Sequence, residues 1–169
     1  MIATSGAIAP RVMDSVILRA MVEADLPHTL AWRNDDRSRP WFKDASILQW
    51  TDHVAWFRRR ETAPFDRMYV AERKADGCIV AQAAIYHIDL SRREAEVGRF
   101  LTDPDLRGRG YFALALEQLL HIAHAEHDLA RVHLEVLAGN ARAIAIYHRA
   151  GFATTGREDD LVMMERNLA

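Results

Sequence analysis

Cysteine is almost missing from this chain: Cys78 is the only one in 169 residues, so no intrachain disulfide can form and a reducing cytoplasm is the expected setting. No apolar run approaches the roughly 20 residues that a membrane-spanning helix needs, so no membrane partner is expected. An excess of one charge is missing too. Twenty-two Lys and Arg stand against 24 Asp and Glu, a net charge of −2, which speaks against a dedicated nucleic-acid binder. The opening residues, MIATSGAIAP, have neither the basic start nor the apolar centre of a signal peptide. We expect a loose tail over residues 1–12 and a single domain over 13–169. Half of the residues are apolar, enough to bury a real core.

Apolar periodicity organises the rest. Ser15–Ala20 reads as a strand, and Asp25 as the cap of a helix that carries Pro27 in its first turn and runs to about Asn34. Asp35–Pro40 is charged and broken by proline, so it reads as a loop. A second helix starts at either Ser46 or Thr51, with Trp50, Val54 and Phe57 on one face. Arg67–Arg73 and Cys78–Ile88 read as a hairpin turning at Lys74–Gly77, since Asp-Gly between apolar runs is a strong turn signal. On this reading Cys78 is buried in a strand and inert. Ala95–Thr102 is a further strand, Arg131–Leu137 another, and Leu161–Glu165 closes the sheet. Between them, Phe112, Leu116, Leu119, Leu120 and Ala123 fall at the spacing of a buried helix face. Asn140 caps a last helix that ends at Gly151. The order implies a mixed α/β sheet with helices on both faces.

DPDLRGRGYF, residues 103–112, joins a strand to a helix start. Such a turn points backbone N–H groups at an anion, and Arg107 and Arg109 add charge. Alone it is a generic phosphate turn. Together with NARAIAIYHRAGF at 140–152, it resembles the GNAT superfamily of N-acetyltransferases over nearly the whole chain. That family's pyrophosphate loop has Gln or Arg, two free positions, Gly, a free position, then Gly or Ala. Arg107 and Gly110 match it, whereas Phe112 departs at the last position and is expected to crowd the helix start.

The resemblance implies a GNAT fold, α/β (α+β), with a splayed strand pair holding acetyl-CoA as cosubstrate and no metal. It assigns Phe100, Leu101 and Thr102 to the pantetheine, Arg107, Gly108, Arg109, Gly110, Tyr111 and Phe112 to the pyrophosphate, and Asn140 to the pantetheine or to its helix cap. Tyr147 would be the acid for the departing thiolate and Glu135 the base, with Glu96 the alternative base. Ammonium groups lose their protons only at about pH 8 to 10.4, so acetylation near neutrality needs such a base or a water relay.

The first sixty residues also look like the branch that acetylates a UDP-linked amino sugar in pseudaminic acid synthesis, the flagellin-modification type. Arg33 and His53 would then face the nucleotide of a small-molecule amine acceptor, although Arg33 could instead pair with Asp35 or Asp36. A ribosomal-protein type N-terminal acetyltransferase is the alternative, and a non-catalytic acyl-CoA-binding module, favoured only by Phe112, is a third. His121, His124 and His127 drift around their helix, so a solvated face is expected rather than a metal site. Nothing decides between a monomer and a homodimer.

Overall fold

The computed structural model describes residues 15–168; the tail expected over 1–12 lies outside the described residues. Seven strands form one sheet in the order β1-β2-β3-β4-β5-β7-β6. In chain order the elements are β1 (Val16–Ala20), α1 (Leu26–Asn34), α2 (Trp50–Glu61), β2 (Asp66–Arg73), β3 (Ile79–Asp89), β4 (Glu94–Thr102), α3 (Tyr111–Ala125), β5 (Arg131–Leu137), α4 (Ala141–Arg149), β6 (Ala153–Glu158) and β7 (Leu161–Asn167). The expected mixed sheet is present, and it gains one strand, β6. ATTGRE lacks the apolar alternation of a half-buried strand because it lies at the sheet edge with most of its residues exposed.

Strand alternation sends two sets of side chains to two cores. On one face Ala83, Ile85, Ala95, Val97, Val132 and Leu134 pack against Leu116, Leu119 and Ala123 of α3 and against α4. On the other, Met68, Val70 and Ala84 meet Leu26 of α1 and Phe57 of α2. Each fully buried leucine or phenylalanine stabilises the fold by about 1.5–3 kcal/mol.

Three local expectations need correction. Asp25 does not cap α1. Its buried carboxylate accepts the Val22 N–H at 2.9 Å and binds the Arg19 guanidinium at 2.8 and 2.9 Å, closing a 3-10 turn that precedes the helix. Of the two expected starts for α2, the one at Thr51 is met within a residue, since the helix begins at Trp50; Ser46 belongs to the loop before it, with its N–H on Asp44 Oδ1. Trp50 is exposed, so the buried face of α2 is His53 and Phe57, one turn apart. Cys78 is exposed in the turn, its N–H held by Asp76 Oδ1 at 3.1 Å, while β3 begins one residue later. The expected solvated face holds for His121 and His124, which are exposed, with His124 Nδ1 3.1 Å from Leu129 O; His127, just past α3, is half-buried with Nε2 3.1 Å from Tyr69 Oη.

The site is positioned by one irregularity. All neighbouring strands are antiparallel except β4 and β5, which pair in parallel only from Glu94–Glu96 to Arg131–His133 and then diverge. Register between β3 and β4 steps from Gln82–Leu101 to Ala84–Gly98, so β4 carries one extra residue there. Arg99 adopts φ +52° in this bulge, and its carbonyl accepts from Gln82 Nε2 at 3.0 Å. A bulge bends and twists its strand. Here it accompanies the divergence of β4 from β5, and the gap is the site.

Candidate active site

The gap opens into a cleft of about 830 Å³ that runs from the start of α3, past the diverging strands, to the loop between α1 and α2. At the α3 end, Gly108 and Gly110 take φ +83° and +87°. These left-handed values turn the chain sharply into the helix. The first hydrogen bond within α3 runs from Leu114 N to Gly110 O, so the N–H groups of Tyr111, Phe112 and Ala113 have no partner inside the helix. All three residues, with Gly110, line the cleft. An array of free N–H groups at the positive end of a 15-residue helix suits a diphosphate.

The two loop arginines do not act alike. Arg107 Nη1 donates to Arg37 O at 2.6 Å and Nη2 to Ser38 Oγ at 2.8 Å, and burial pushes its guanidinium below the ordinary arginine range. It therefore ties the glycine loop to the α1–α2 connection, a tie doubled where Arg37 bridges Asp35 and Asp105. Arg109 is exposed and does not line the cleft. Arg142 in the first turn of α4 does line it, with a guanidinium nitrogen 3.3 Å from where a Cβ on Gly108 would stand. Sequence reasoning missed Arg142; its place two residues after the Asn140 cap was the available signal.

Asn140 Oδ1 accepts the Ala143 N–H at 3.2 Å, so it caps α4 as well as lining the cleft. That cap sets the helix that carries Tyr147. The Tyr147 ring is buried among Phe100, Phe112 and Phe152, with centroids 5.9, 5.6 and 5.8 Å away. Its hydroxyl makes no hydrogen bond with a described residue, and burial pushes the phenol well above its ordinary range. Phe112 does not crowd the helix: its ring turns onto Phe100 at 5.0 Å, and α3 begins regularly one residue before it. Phe100, Leu101 and Thr102 of β4 form the wall facing β5, beyond the last β4–β5 pair.

The far end of the cleft is charged and aromatic. Arg33 lies there with its guanidinium carbon 4.0 Å from the Phe42 ring centroid, and it donates to Asp44 O. Its Nη1 is buried and unpartnered among the described residues. Asp35 and Asp36 do not take it, being paired with Arg37 and Arg39. Glu135 lines the same end, with Oε2 2.7 Å from Lys43 Nζ.

Besides Arg109, two expected residues are not brought to the cleft. His53 is buried between α1 and α2, stacked on Trp56 at 5.5 Å and 3.1 Å from Thr29 Oγ1. Burial, helped by the Arg33 charge, holds its pKa below the ordinary histidine range. Glu96 stands behind Tyr86, which lines the cleft and donates to Glu96 Oε1 at 2.8 Å. Among the described residues, no three His, Cys, Asp or Glu side chains are grouped to hold a metal ion, and no helix is long and apolar enough to cross a membrane.

Known proteins share this fold. A spermidine N-acetyltransferase from Vibrio cholerae, solved with CoA and spermine, superposes with a TM-score of 0.82 over 92% of this chain and 96% of its own, at 18% identity, a likeness of fold. A domain from Methanocaldococcus jannaschii superposes with a TM-score of 0.76 over 90% and 97%, at 22% identity. A putative ribosomal N-acetyltransferase of Bacillus subtilis is 28% identical over 85 residues, 50% of this chain and 46% of that protein. An uncharacterized protein of Methanocaldococcus jannaschii is 25% identical over 154 residues, 87% of this chain and 30% of that protein. The chain thus spans less than half of the length of the curated relatives it matches. Residues 15–153 match the acetyltransferase (GNAT) domain. With the splayed β4–β5 pair and the glycine turn at α3, that match identifies the chain as a member of the GNAT acetyltransferase family.

Proposed function

We propose that this protein transfers the acetyl group of acetyl-CoA directly to the primary amine of an anionic small molecule, best met by the 4-amino group of a UDP-linked amino sugar. Acetyl-CoA supplies an activated thioester. The free N–H groups of Tyr111, Phe112 and Ala113, with Arg142, fit its pyrophosphate, and the β4 wall at Phe100–Thr102 fits its pantetheine amides. Tyr147 Oη holds the proton for the departing thiolate.

The observation that carries the acceptor reading is Arg33. Its guanidinium lines the far end of the cleft, stacked on Phe42 and in no ion pair with a described carboxylate, so its charge suits an anion, and the exposed Trp41 lining the same end suits a flat base. A polyamine would need the opposite charge. Among the described residues the only carboxylates lining this end are Asp44 and Glu135, and Glu135 is already paired with Lys43. A second reading, acetylation of a protein N-terminus, is supported by the likeness to the putative ribosomal N-acetyltransferase.

Thiol release measured with UDP-amino sugars, spermidine and N-terminal peptides separates these readings. Turnover with spermidine alone, or with peptides alone, would sink the sugar. Within that assay Arg33→Ala raises the acceptor KM about tenfold, the loss of one charge-assisted hydrogen bond of about 1.5 kcal/mol. Acetyl-CoA affinity stays the same. The reverse pattern would place Arg33 on the cofactor side.

A further inference from the structure

Behind the cleft, three side chains of β3 and β4 form a hydrogen-bonded line from the site to the surface. Tyr86 lines the cleft and donates to Glu96 Oε1 at 2.8 Å. Glu96 Oε2 lies 2.9 Å from His87 Nδ1, and the His87 side chain is 75% exposed against 18% for Glu96. Tyr86 and Glu96 are register partners, so they share a face of the sheet. His87, next in sequence, would ordinarily point to the other face. It does not, because β3 carries a bulge there: register passes from Tyr86–Glu96 to Asp89–Glu94, and His87 takes φ +50°. A non-glycine residue held at positive φ is strained. Here the strain brings the imidazole onto the same carboxylate as Tyr86.

The cleft end is shaped as closely. Gly98, the register partner of Ala84 and diagonal to Tyr86, leaves the room that the hydroxyl occupies, since a Cβ there would stand 2.6 Å from Tyr86 Oη. Arg99 stacks on the Tyr86 ring at 4.1 Å and is itself held by Asp66 of β2, which also pairs with Arg60 of α2. From β5, Glu135 contributes negative charge at Tyr86, and His133 is the register neighbour of Glu96. Burial, then the charge of Glu96, push the Tyr86 phenol well above its ordinary range, so it rests protonated.

We propose that Tyr86, Glu96 and His87 are the proton exit of the transferase, with Glu96 rather than Glu135 taking the proton of the acceptor ammonium. This rests on the transfer reading above, though not on which amine is the acceptor. One N–H bond of the ammonium breaks as its proton passes to Tyr86 Oη, and the Tyr86 proton passes to Glu96 Oε1, leaving a neutral amine and a neutral carboxyl. Acetyl transfer then makes the C–N bond and breaks the C–S bond; a second N–H bond breaks as Tyr147 gives its proton to the sulfur and is reprotonated from the nitrogen, so the one net proton is the one on Glu96. Glu96 returns that proton to water at the surface end. His87 is a positioning residue, holding Oε2 so that Oε1 faces Tyr86. Glu135, with Oε2 on Lys43, is left as part of the charged acceptor rim.

The test compares Glu96→Gln and Glu135→Gln, each checked for an unchanged melting temperature, with whichever amine the wild type acetylates. Glu96→Gln loses about tenfold to a hundredfold in kcat at pH 7, and the deficit closes as pH approaches the range of about 8 to 10.4 where the amine sheds its proton unaided. Glu135→Gln loses less than about threefold at pH 7 by the same argument. Tyr86→Phe repeats the Glu96 pattern, and His87→Ala repeats it more weakly. His87→Asn, which tolerates positive φ and keeps a donor, restores most of the rate.

Equal losses at all pH values in Glu96→Gln, or a larger loss in Glu135→Gln, would overturn the relay and leave the transferase reading standing. A wild type that acetylates no amine would overturn both.

Discussion

Replacing Tyr147 by phenylalanine lowers kcat about a hundredfold to a thousandfold and changes acetyl-CoA affinity by less than about threefold. The substitution removes one oxygen from a ring that Phe100, Phe112 and Phe152 hold on three sides, so the cavity keeps its shape. Because the hydroxyl bonds to no described residue, its loss strands no buried partner, and the melting temperature stays near the wild-type value. What is lost is the proton for the leaving sulfur. A thiolate has a pKa of about 8.5 and is a tolerable leaving group on its own, which argues for an effect in the lower part of the usual range for acid catalysis.

The pH dependence follows from the raised Tyr147 phenol. The folded state favours the neutral form, so the stability it contributes is fully present below the ordinary tyrosine value of about 10 and is lost as pH rises beyond it. Tyr147 therefore places no alkaline limb on kcat below about pH 10. Stopped-flow acetyl transfer and calorimetric titration of acetyl-CoA read the two quantities separately. An unchanged kcat removes the acid role, and a loss of affinity as large as the loss of rate makes Tyr147 a packing residue only.

Helices and interior strands were legible in the sequence because their apolar spacing reports burial directly. Leu116, Leu119 and Ala123 of α3 and the alternation of RVHLEVL are such cases. Failures occurred where a tertiary contact overrode a local signal. Asp25 looked like a helix cap, but Arg19 lies beside it on the adjoining strand and draws the carboxylate away. Cys78 looked buried because it begins an apolar run, yet the Asp76 turn bond keeps it outside the ladder. β6 had no core face to betray it.

The candidate site divides in the same way. Gly110, Asn140 and Tyr147 were legible because backbone conformation, capping and helical position are local properties. His53 was not, being drawn to Thr29, a partner 24 residues away in the chain; Arg107 lines the cleft, and only its tie to Ser38, 69 residues away, had no local signal. Tyr86 and His87 were missed because two opposed bulges place them, and bulges leave no periodic trace. Phe112 looked like a defect in the glycine pattern and is a member of the aromatic wall around Tyr147.

Gly110→Val weakens acetyl-CoA binding about thirtyfold to a hundredfold, and Gly110→Ala weakens it about tenfold, with kcat at saturation nearly unchanged in both. Open space surrounds Gly110, and a Cβ there would meet no atom within 4 Å, so the effect is not a clash. It comes from the backbone, since φ is +87° at the residue whose carbonyl starts the hydrogen-bond ladder of α3. A β-branched side chain held there costs about 2–3 kcal/mol, and the chain relaxes by turning the peptide that aims the Tyr111 and Phe112 N–H groups. Gly139→Ala is the control. It too has nothing within 4 Å, and its φ is not in the left-handed range, so it moves affinity by less than about twofold. Titration calorimetry of the three variants with CoA alone decides the matter. Losses at Gly110 as small as that at Gly139 would mean that the turn tolerates side chains and that the N–H groups at the start of α3 do not hold the pyrophosphate.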